Sequence, residues 1–185
     1  AAHAPAAIPV HLLAEEEVQR WLETQDDSVQ AWAKAHGFTG GIGQAITFPS
    51  ETGIAMAAVG YGNDNSRTRA RFHLAAGAAR LPKGTYTLHS TCDTPDLEVE
   101  ALGWLLAGYR FDRYKAQSTM GANLIAPAGI DAAQVEAMAQ GEALTRILIN
   151  TPASDMGPSD LEAAARSLAD QFGASLSVIT GDDLL

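Results

Sequence analysis

The sequence predicts a layered α/β domain, in which helices flank a mixed β-sheet, followed by a linker and the first helix and strand of a second domain. Short segments rich in β-branched and apolar residues alternate with helical patterns, which is typical of this class. The chain has 185 residues, 46% hydrophobic and 18% charged, so it can bury a core without disulfides. We expect an α/β domain at 1–130, a connecting helix and proline-containing linker at 131–158, and the incomplete start of another domain at 159–185.

Six segments have the composition and length of β-strands. The second and third are joined by a turn in which Gly53 can supply a positive φ. The last helix and strand have too little apolar surface to form a domain of their own, so we expect them to be the start of a larger domain. The predicted strands are Val10–Leu13, Ala45–Phe48, Ile54–Val59, Thr85–His89, 122–127 and 175–180.

Capping residues and acidic first turns mark the starts of the predicted helices. The clearest start has Thr94 as N-cap and Pro95 as first helical residue. Ser159 and Glu162 have capping-box spacing, which predicts a helix over Asp160–Phe172. The expected helices begin at Glu15, at Asp27 or Ser28, at Thr68 (ending at Arg80), at Thr94, at Asp131 and at Asp160.

Composition argues against several classes of function. The formal net charge is −10, so nucleic-acid binding is disfavoured because it requires an extended basic surface. No apolar run approaches the roughly 20 residues of a membrane helix, so we expect no membrane partner. The lone Cys92 and the lack of a recognisable secretory signal favour a cytoplasmic location.

No catalytic motif is recognisable in the sequence. The stretch TGGIG (39–43) precedes a strand instead of a helix, so it is more typical of a turn than of a phosphate-binding loop. The motifs HExxH and G-x-S-x-G and the P-loop are absent, and the histidines are scattered singly. We therefore assign no catalytic, cofactor-binding or metal-binding residue, and we expect the chain alone to be inactive. The histidines are His3, His11, His36, His73 and His89.

Two local clusters allow more than one interpretation. Arg67, Arg69 and Arg71 could hold an anion such as phosphate, or they could form a solvated helix start with Arg67 and Arg71 on one face. The segment GYRFDRYK, Gly108–Lys115, packs three basic and three aromatic residues into eight positions. Its alternation suits a strand or an interface edge, and we expect a packing role, with a subunit or domain contact as the alternative.

Two stretches resemble the leucyl (cytosol) aminopeptidase family of two-metal exopeptidases. They are GYRFDRYK and the final stretch INTPASDMGPSDLEAAARSLADQFGASLSVITGDDLL. GFTGGIGQAITFP, followed by GIAMAAVGYG, resembles the N-terminal domain of that family more loosely. The resemblance covers nearly the whole chain but only the first part of the family's pattern. It implies a non-catalytic N-terminal domain followed by the linker and the start of the catalytic domain.

The resemblance implies cofactors and partners outside this chain. In the family, two divalent metal ions, Mn or Zn, activate a bridging water that attacks the peptide carbonyl. The metal-binding motifs lie beyond the linker, so Asp155, Asp182 and Asp183 match no ligand position and no cofactor is expected here. The implied partners are the catalytic domain of the same protein and further copies in a hexamer, with peptide substrate bound only through the missing domain.

An alternative from a different class of function stays open. The family's N-terminal domain resembles macro-type α/β domains, so the chain could be a self-contained macro-like module. Such a module would bind a phosphate or nucleotide through TGGIG and the arginine cluster. The leading hypothesis assigns the chain to domain packing and oligomer assembly, with Pro152 and Pro158 stiffening the passage between two domains.

Overall fold

The computed structural model describes residues 7–90 and 96–184 of the chain. Contacts between Cα atoms divide the chain into two units, residues 1–141 and residues 142–185. The predicted cap at Thr94, its neighbour Pro95 and the lone Cys92 lie outside the described residues. The helix start predicted there is wrong, because Asp96 is the N-cap, its side chain accepts the amide of Val99, and the helix begins at Leu97.

Five strands form the sheet of the first unit: β1 Ile8–Ala14, β2 Ala45–Ser50, β3 Gly53–Gly62, β4 Gly84–Ser90 and β5 Ala122–Ile125. Their order across the sheet is β2-β3-β1-β4-β5. β1 pairs in parallel with β3 and β4, β5 pairs in parallel with β4, and β2 runs antiparallel to β3. The predicted mixed sheet of an α/β domain is confirmed.

The helices of the first unit are α1 Val18–Leu22, preceded by a 3-10 turn at Glu15–Glu17, then α2 Asp27–Ala35, α3 Asp64–Arg67, α4 His73–Ala78 and α5 Leu97–Ala107. The long helix α6, Ala132–Asn150, begins in the first unit and ends in the second. The second unit continues with α7 Pro158–Phe172 and a 3-10 turn at Gly181–Leu184. The long helix predicted from Asp131 is therefore confirmed as α6.

Helices cover one face of the sheet, and on the other face they cover β1, β2 and β3 but leave residues of β4 and β5 exposed. Side chains alternate along a strand, so Val10 and Leu12 of β1 lie on one face and Leu13 lies on the other. On the first face they join a core with residues of α4 and α5, whose largest fully buried member is Trp104, 1% exposed. On the second face, Leu13 packs in a separate core with Trp21 of α1 and residues of α2 and β2.

Two aromatic residues of the first core satisfy their polar atoms internally. The indole Nε1 of Trp104 donates to the carbonyl oxygen of Ala122 at 3.1 Å. The hydroxyl of Tyr86 donates to the carbonyl oxygen of Pro82 at 2.9 Å, and the rings of Tyr86 and Trp104 lie 6.1 Å apart. Because an unpaired polar atom is costly in an apolar core, these bonds allow both side chains to be buried.

The single helix predicted from Thr68 to Arg80 is wrong. α3 ends at Arg67, and α4 begins at His73, after Phe72 adopts a left-handed φ of 60°. This conformation is uncommon for a bulky residue. It is held by a close contact: a Cβ on Gly103 of α5 would lie 2.5 Å from the Cβ of Phe72.

Helix α7 begins two residues earlier than predicted. Gly157 is the N-cap, Pro158 is the first helical residue, and the carboxylate of Asp160 accepts the amide of Gly157 at 2.9 Å. The predicted cap at Ser159 is wrong because proline fits the first helical position, where its missing N–H costs nothing. The helix ends at Gly173, which has a left-handed φ of 63°.

The strand predicted at 175–180 is not formed. Strand backbone needs a neighbouring strand for its hydrogen bonds, and among the residues that the structure describes no strand pairs with this segment. Its apolar side chains are exposed: Val178 is 40% and Ile179 is 61% accessible. The apolar pattern is present without the partner that would turn it into a strand.

The end of β3 lies in close backbone contact with the loop that precedes β2. A Cβ on Gly60 would lie 2.1 Å from the carbonyl oxygen of Gly41. The amide of Gly60 donates to the carbonyl oxygen of Gln44 at 2.9 Å, and that of Gly62 donates to the carbonyl oxygen of Gly40 at 2.8 Å. Only glycine fits at position 60.

Gly60→Ala is expected to destabilise the first unit by about 2–3 kcal/mol, because the new methyl group must displace the backbone of Gly41. Gly141→Ala is the matched control. A Cβ at Gly141 of α6 has no atom within 4 Å, so alanine there should stabilise the helix by up to about 1 kcal/mol. Urea denaturation followed by tryptophan fluorescence measures both changes. Unchanged stability of Gly60→Ala would contradict the close packing.

Candidate functional site

The carboxyl ends of β1 and β3 lie beside the glycine-rich loop at 39–43. This is the sheet edge at which α/β proteins commonly bind ligands. A Cβ on Gly40 would lie 2.7 Å from the side chain of Val18 and 3.1 Å from the Cα of Glu15. The loop therefore fills the space at these strand ends.

Gln44 engages the amides of this loop. Its carboxamide oxygen accepts hydrogen bonds from the backbone N–H of Thr39 at 2.8 Å and of Gly41 at 3.2 Å. It also accepts the hydroxyl of Thr39 at 3.2 Å. A neutral side-chain oxygen thus lies where a phosphate-binding loop would hold a phosphate oxygen. The loop is a closed turn, as the sequence indicated.

A polar network ties the end of β3 to the end of β1. Asn63 caps α3 by accepting the amide of Ser66 at 2.9 Å, while the hydroxyl oxygen of Ser66 accepts the amide of Asn63 at 2.9 Å. The side-chain amide of Asn63 donates to Glu15 Oε2 at 2.7 Å. Hydrogen bonds thus link Ser66 to Asn63 and Asn63 to Glu15, which orders this end of the sheet.

Arg67 belongs to the same network. Its guanidinium pairs with the carboxylate of Asp64 and donates to the carbonyl oxygen of Gly62 at 2.9 Å. The guanidinium carbon lies 4.8 Å from the ring centroid of Tyr61, in a cation–π contact. A carboxylate oxygen of Glu16 lies 4.0 Å from Nη2 of Arg67. The charge of Arg67 is therefore compensated within the domain.

Arg67 and Arg71 do not share the helix face predicted for them. Arg67 ends α3, whereas Arg69 and Arg71 lie exposed in the break between α3 and α4. The anion-binding interpretation required the three guanidinium groups to act together. With Arg67 held inside the strand-end network, the structure does not support that arrangement.

A buried acid–imidazole pair links α4 and α5. Glu100 is 3% exposed and His73 is 8% exposed. Nδ1 of His73 lies 3.2 Å from Oε1 of Glu100, and Oε2 accepts the amide of Leu74 at 2.8 Å. Nε2 of His73 lies 3.2 Å from the carbonyl oxygen of Arg67. Each imidazole nitrogen therefore lies beside an oxygen: Nδ1 faces the carboxylate of Glu100 and Nε2 faces the backbone carbonyl of Arg67.

Sequence reasoning missed this pair. One signal was available, because Glu100 stands among apolar residues of α5, beside the buried Ala101, and a buried carboxylate requires a partner. The partner is 27 residues away, within a segment predicted as part of one continuous helix. The pair positions α4 on α5, which is a structural role.

The segment Gly108–Lys115 forms irregular structure after α5 and not the strand that its alternation suggested. Arg110 is the reason, because its guanidinium donates to the carbonyl oxygens of Ala107 at 2.8 Å and Ser118 at 3.0 Å. A cation there satisfies free carbonyls at the helix end. Arg110 ties the start of the segment to the end of α5, whereas residues 112–115 are exposed, so a packing role for the whole segment stays a prediction.

Two of the histidines are neighbours. His11 of β1 and His89 of β4 have ring centroids 5.5 Å apart. His36 follows α2, with Nδ1 2.8 Å from the carbonyl oxygen of Trp32, and His3 lies outside the described residues. Within the part of the chain that the structure describes, no group of three His, Cys, Asp or Glu side chains could hold a metal ion.

Taken together, these contacts close the loop over the strand ends and position the helices of one face. The strand ends are covered by the loop and its polar network, and the buried carboxylate orders the helices of one face. In the ranges 7–90 and 96–184, no helix combines the length and apolar character needed to cross a membrane.

The chain matches a family model and proteins with solved structures. The model described as "M17 aminopeptidase, N-terminal domain" matches residues 8–127. The cytosol aminopeptidase from Coxiella burnetii is 31% identical, with a TM-score of 0.84, over 98% of this chain and 39% of that chain. The bottromycin maturation enzyme BotP is 27% identical, with a TM-score of 0.72, over 97% of this chain and 40% of that chain.

The chain is also similar to a curated relative over only part of that relative's length. The probable cytosol aminopeptidase of Synechococcus sp. (strain RCC307) is 29% identical over 157 residues. The match covers 76% of this chain and 31% of that protein. The chain therefore spans well under half of the length of each of these relatives.

Glu100→Ala is expected to destabilise the first unit by about 3 kcal/mol, because it leaves Nδ1 of His73 and the amide of Leu74 without a partner. Glu100→Gln should cost less, since its amide oxygen still accepts from Leu74. Glu51→Ala, at an exposed turn, is the control and should change stability by less than about 0.5 kcal/mol. Urea denaturation measures the three variants. An effect of Glu100→Ala no larger than that of Glu51→Ala would contradict the role of the pair.

Proposed function

The chain belongs to the M17 aminopeptidase family, and from this premise we propose that it is the N-terminal part of a leucyl aminopeptidase that removes N-terminal amino acids from peptides. The observation that carries the proposal is the family match over residues 8–127, which contain the whole sheet. The likeness to the Coxiella burnetii structure over 98% of the chain supports the same relation for the residues that follow.

The catalytic chemistry belongs to the part of the relatives that this chain does not span. In this proposal that part holds two divalent metal ions, Mn or Zn, which supply an activated water for peptide hydrolysis. The described residues of this chain do not fit such a centre, since no three ligand side chains meet. The chain's own contribution is a folded domain and the segment that leads into the catalytic domain.

In this proposal the chain has three regions with different roles. Residues 1–130 form the non-catalytic domain, residues 131–158 connect it to the catalytic domain, and residues 159–185 begin that catalytic domain. Support comes from the contact boundary between residues 141 and 142, which lies inside the proposed connection. The protein acts in the cytoplasm as a homo-oligomer, a hexamer as in the family, without a nucleic-acid partner. The net charge of −10 supports the last point.

The apolar side of α7 supports a docking role for the second unit. Leu161, Leu168 and Phe172 are 53%, 41% and 65% exposed. Their spacing of seven and four residues places them on one side of the helix. Apolar stripes of this kind are usually covered by a partner. The catalytic domain covers this stripe and pairs with the segment 175–180 as a strand.

A macro-like phosphate or nucleotide module is less well supported. Gln44 holds the loop amides that would receive a phosphate, and Arg67 is engaged by Asp64 and Gly62. The loop amides are therefore not open to a phosphate, and Arg67 does not form a shared anion site with Arg69 and Arg71.

The proposal is tested by expressing the complete gene and the 185-residue chain side by side. The gene product is expected to extend beyond residue 185 and to hydrolyse leucine p-nitroanilide in the presence of Mn²⁺ or Zn²⁺. The 185-residue chain is expected to show no hydrolysis under the same conditions. Hydrolysis by the chain alone, or a reading frame that ends at Leu185, would refute the proposal.

The docking role of α7 has its own test in the complete protein. Phe172→Asp should lower both the assembled fraction and the specific activity at least tenfold, because a carboxylate would be buried without a partner. Gln171→Asp, the adjacent exposed position, is the matched control and should leave both unchanged. Size-exclusion chromatography and the p-nitroanilide assay report the outcome. Equal behaviour of the two variants would show that the stripe is not buried.

A further inference from the structure

His11 and His89 form a pair in the middle of the sheet. β1 and β4 run in parallel, and His11 is the direct register partner of His89. Register partners on neighbouring strands project from the same face of a sheet. The two ring centroids lie 5.5 Å apart, and the ring planes are inclined by 33°. The backbone therefore places two imidazoles beside each other.

Their separation matches that of two imidazoles bound to one metal ion. A Zn–N bond is about 2.0–2.1 Å long, so two imidazoles on a tetrahedral ion have ring centres roughly 5 Å apart. The observed separation is close to this value without movement of the backbone.

Both rings are available as ligands. In the part of the chain that the structure describes, neither ring takes part in a hydrogen bond. His11 is half-buried and His89 is exposed, so water can reach the pair. Burial, and to a smaller extent the nearby His89, lower the pKa of His11. A neutral imidazole is the form that binds a metal ion.

We propose that His11 and His89 form a two-histidine site for a borderline divalent metal ion, represented by Zn²⁺, with water completing a tetrahedral coordination. Imidazole nitrogen suits Zn²⁺, Cu²⁺ and Ni²⁺ better than the harder Mg²⁺ or Ca²⁺. A bound ion links β1 directly to β4 across the sheet. It stabilises the folded chain, because the unfolded chain does not hold the two rings together.

Trp21 provides a local reporter of the site. Its ring centroid lies 5.1 Å from that of His11. A paramagnetic Cu²⁺ ion bound to His11 would therefore quench the fluorescence of Trp21. Trp32 beside His36 offers the corresponding signal at a different histidine, with ring centroids 4.3 Å apart.

The test is isothermal titration of Zn²⁺ into the 185-residue chain. His3→Ala and Cys92→Ser form the background, so that neither residue contributes a ligand. One saturable site is expected, and His11→Asn and His89→Asn should each weaken it at least tenfold. His36→Asn is the matched control and should leave the affinity unchanged. Absence of saturable binding, or binding that survives both substitutions, would overturn the proposal.

A second measurement keeps the test decisive if His11→Asn fails to fold. His89 is exposed, so His89→Asn should retain the circular dichroism spectrum of the background chain. Cu²⁺ should quench the tryptophan fluorescence of the background chain, and His89→Asn should remove most of that quenching. Trp21→Phe should remove the quenchable fraction as well. Quenching that depends on His36, and not on His89, would also overturn the proposal.

Discussion

The buried carboxylate of Glu100 determines how the helices meet on one face of the sheet. A charge removed from water must be compensated, and here the amide of Leu74 and the ring of His73 compensate it. Helix α4 must therefore begin where these two groups reach α5. This requirement explains why the chain breaks at Phe72, and why Gly103 has no side chain at the point of contact.

The strand ends show a related use of polar groups. The topology offers a crevice of the kind that binds ligands in many α/β proteins. In this chain the side chains of Gln44, Asn63 and Arg67 form hydrogen bonds with the protein's own backbone and side chains. The polar groups at these strand ends are therefore engaged by other groups of the same domain.

Elements set by local sequence were predictable. The β-branched runs of β2, β3 and β4 and the long helix α6 follow from period and capping, because neighbours in the chain decide them. The break at Phe72 depends on a carboxylate 28 positions away, so no local pattern indicates it. The segment 175–180 has the composition of a strand, but strand formation needs a second strand, which its own sequence cannot supply.

The candidate site was predictable only in part. TGGIG was correctly interpreted as a turn, since glycines before a strand rarely bind phosphate. The role of Gln44 was not evident, because a side chain that replaces a ligand looks like any exposed glutamine in the sequence. The pairing of His11 with His89 required the strand order, which places β4 beside β1 although 78 positions separate the two residues.

The two outer strands of the sheet have a consequence for association. β2 forms one border and contains Pro49, which lacks an amide hydrogen, and its register shifts between Phe48 and Pro49. β5 forms the other border with four residues. Borders that are short or interrupted by proline accept a foreign strand poorly. Neither border is therefore a good template for a strand of another copy, and the fold resists the strand-by-strand growth that leads to fibrous aggregates.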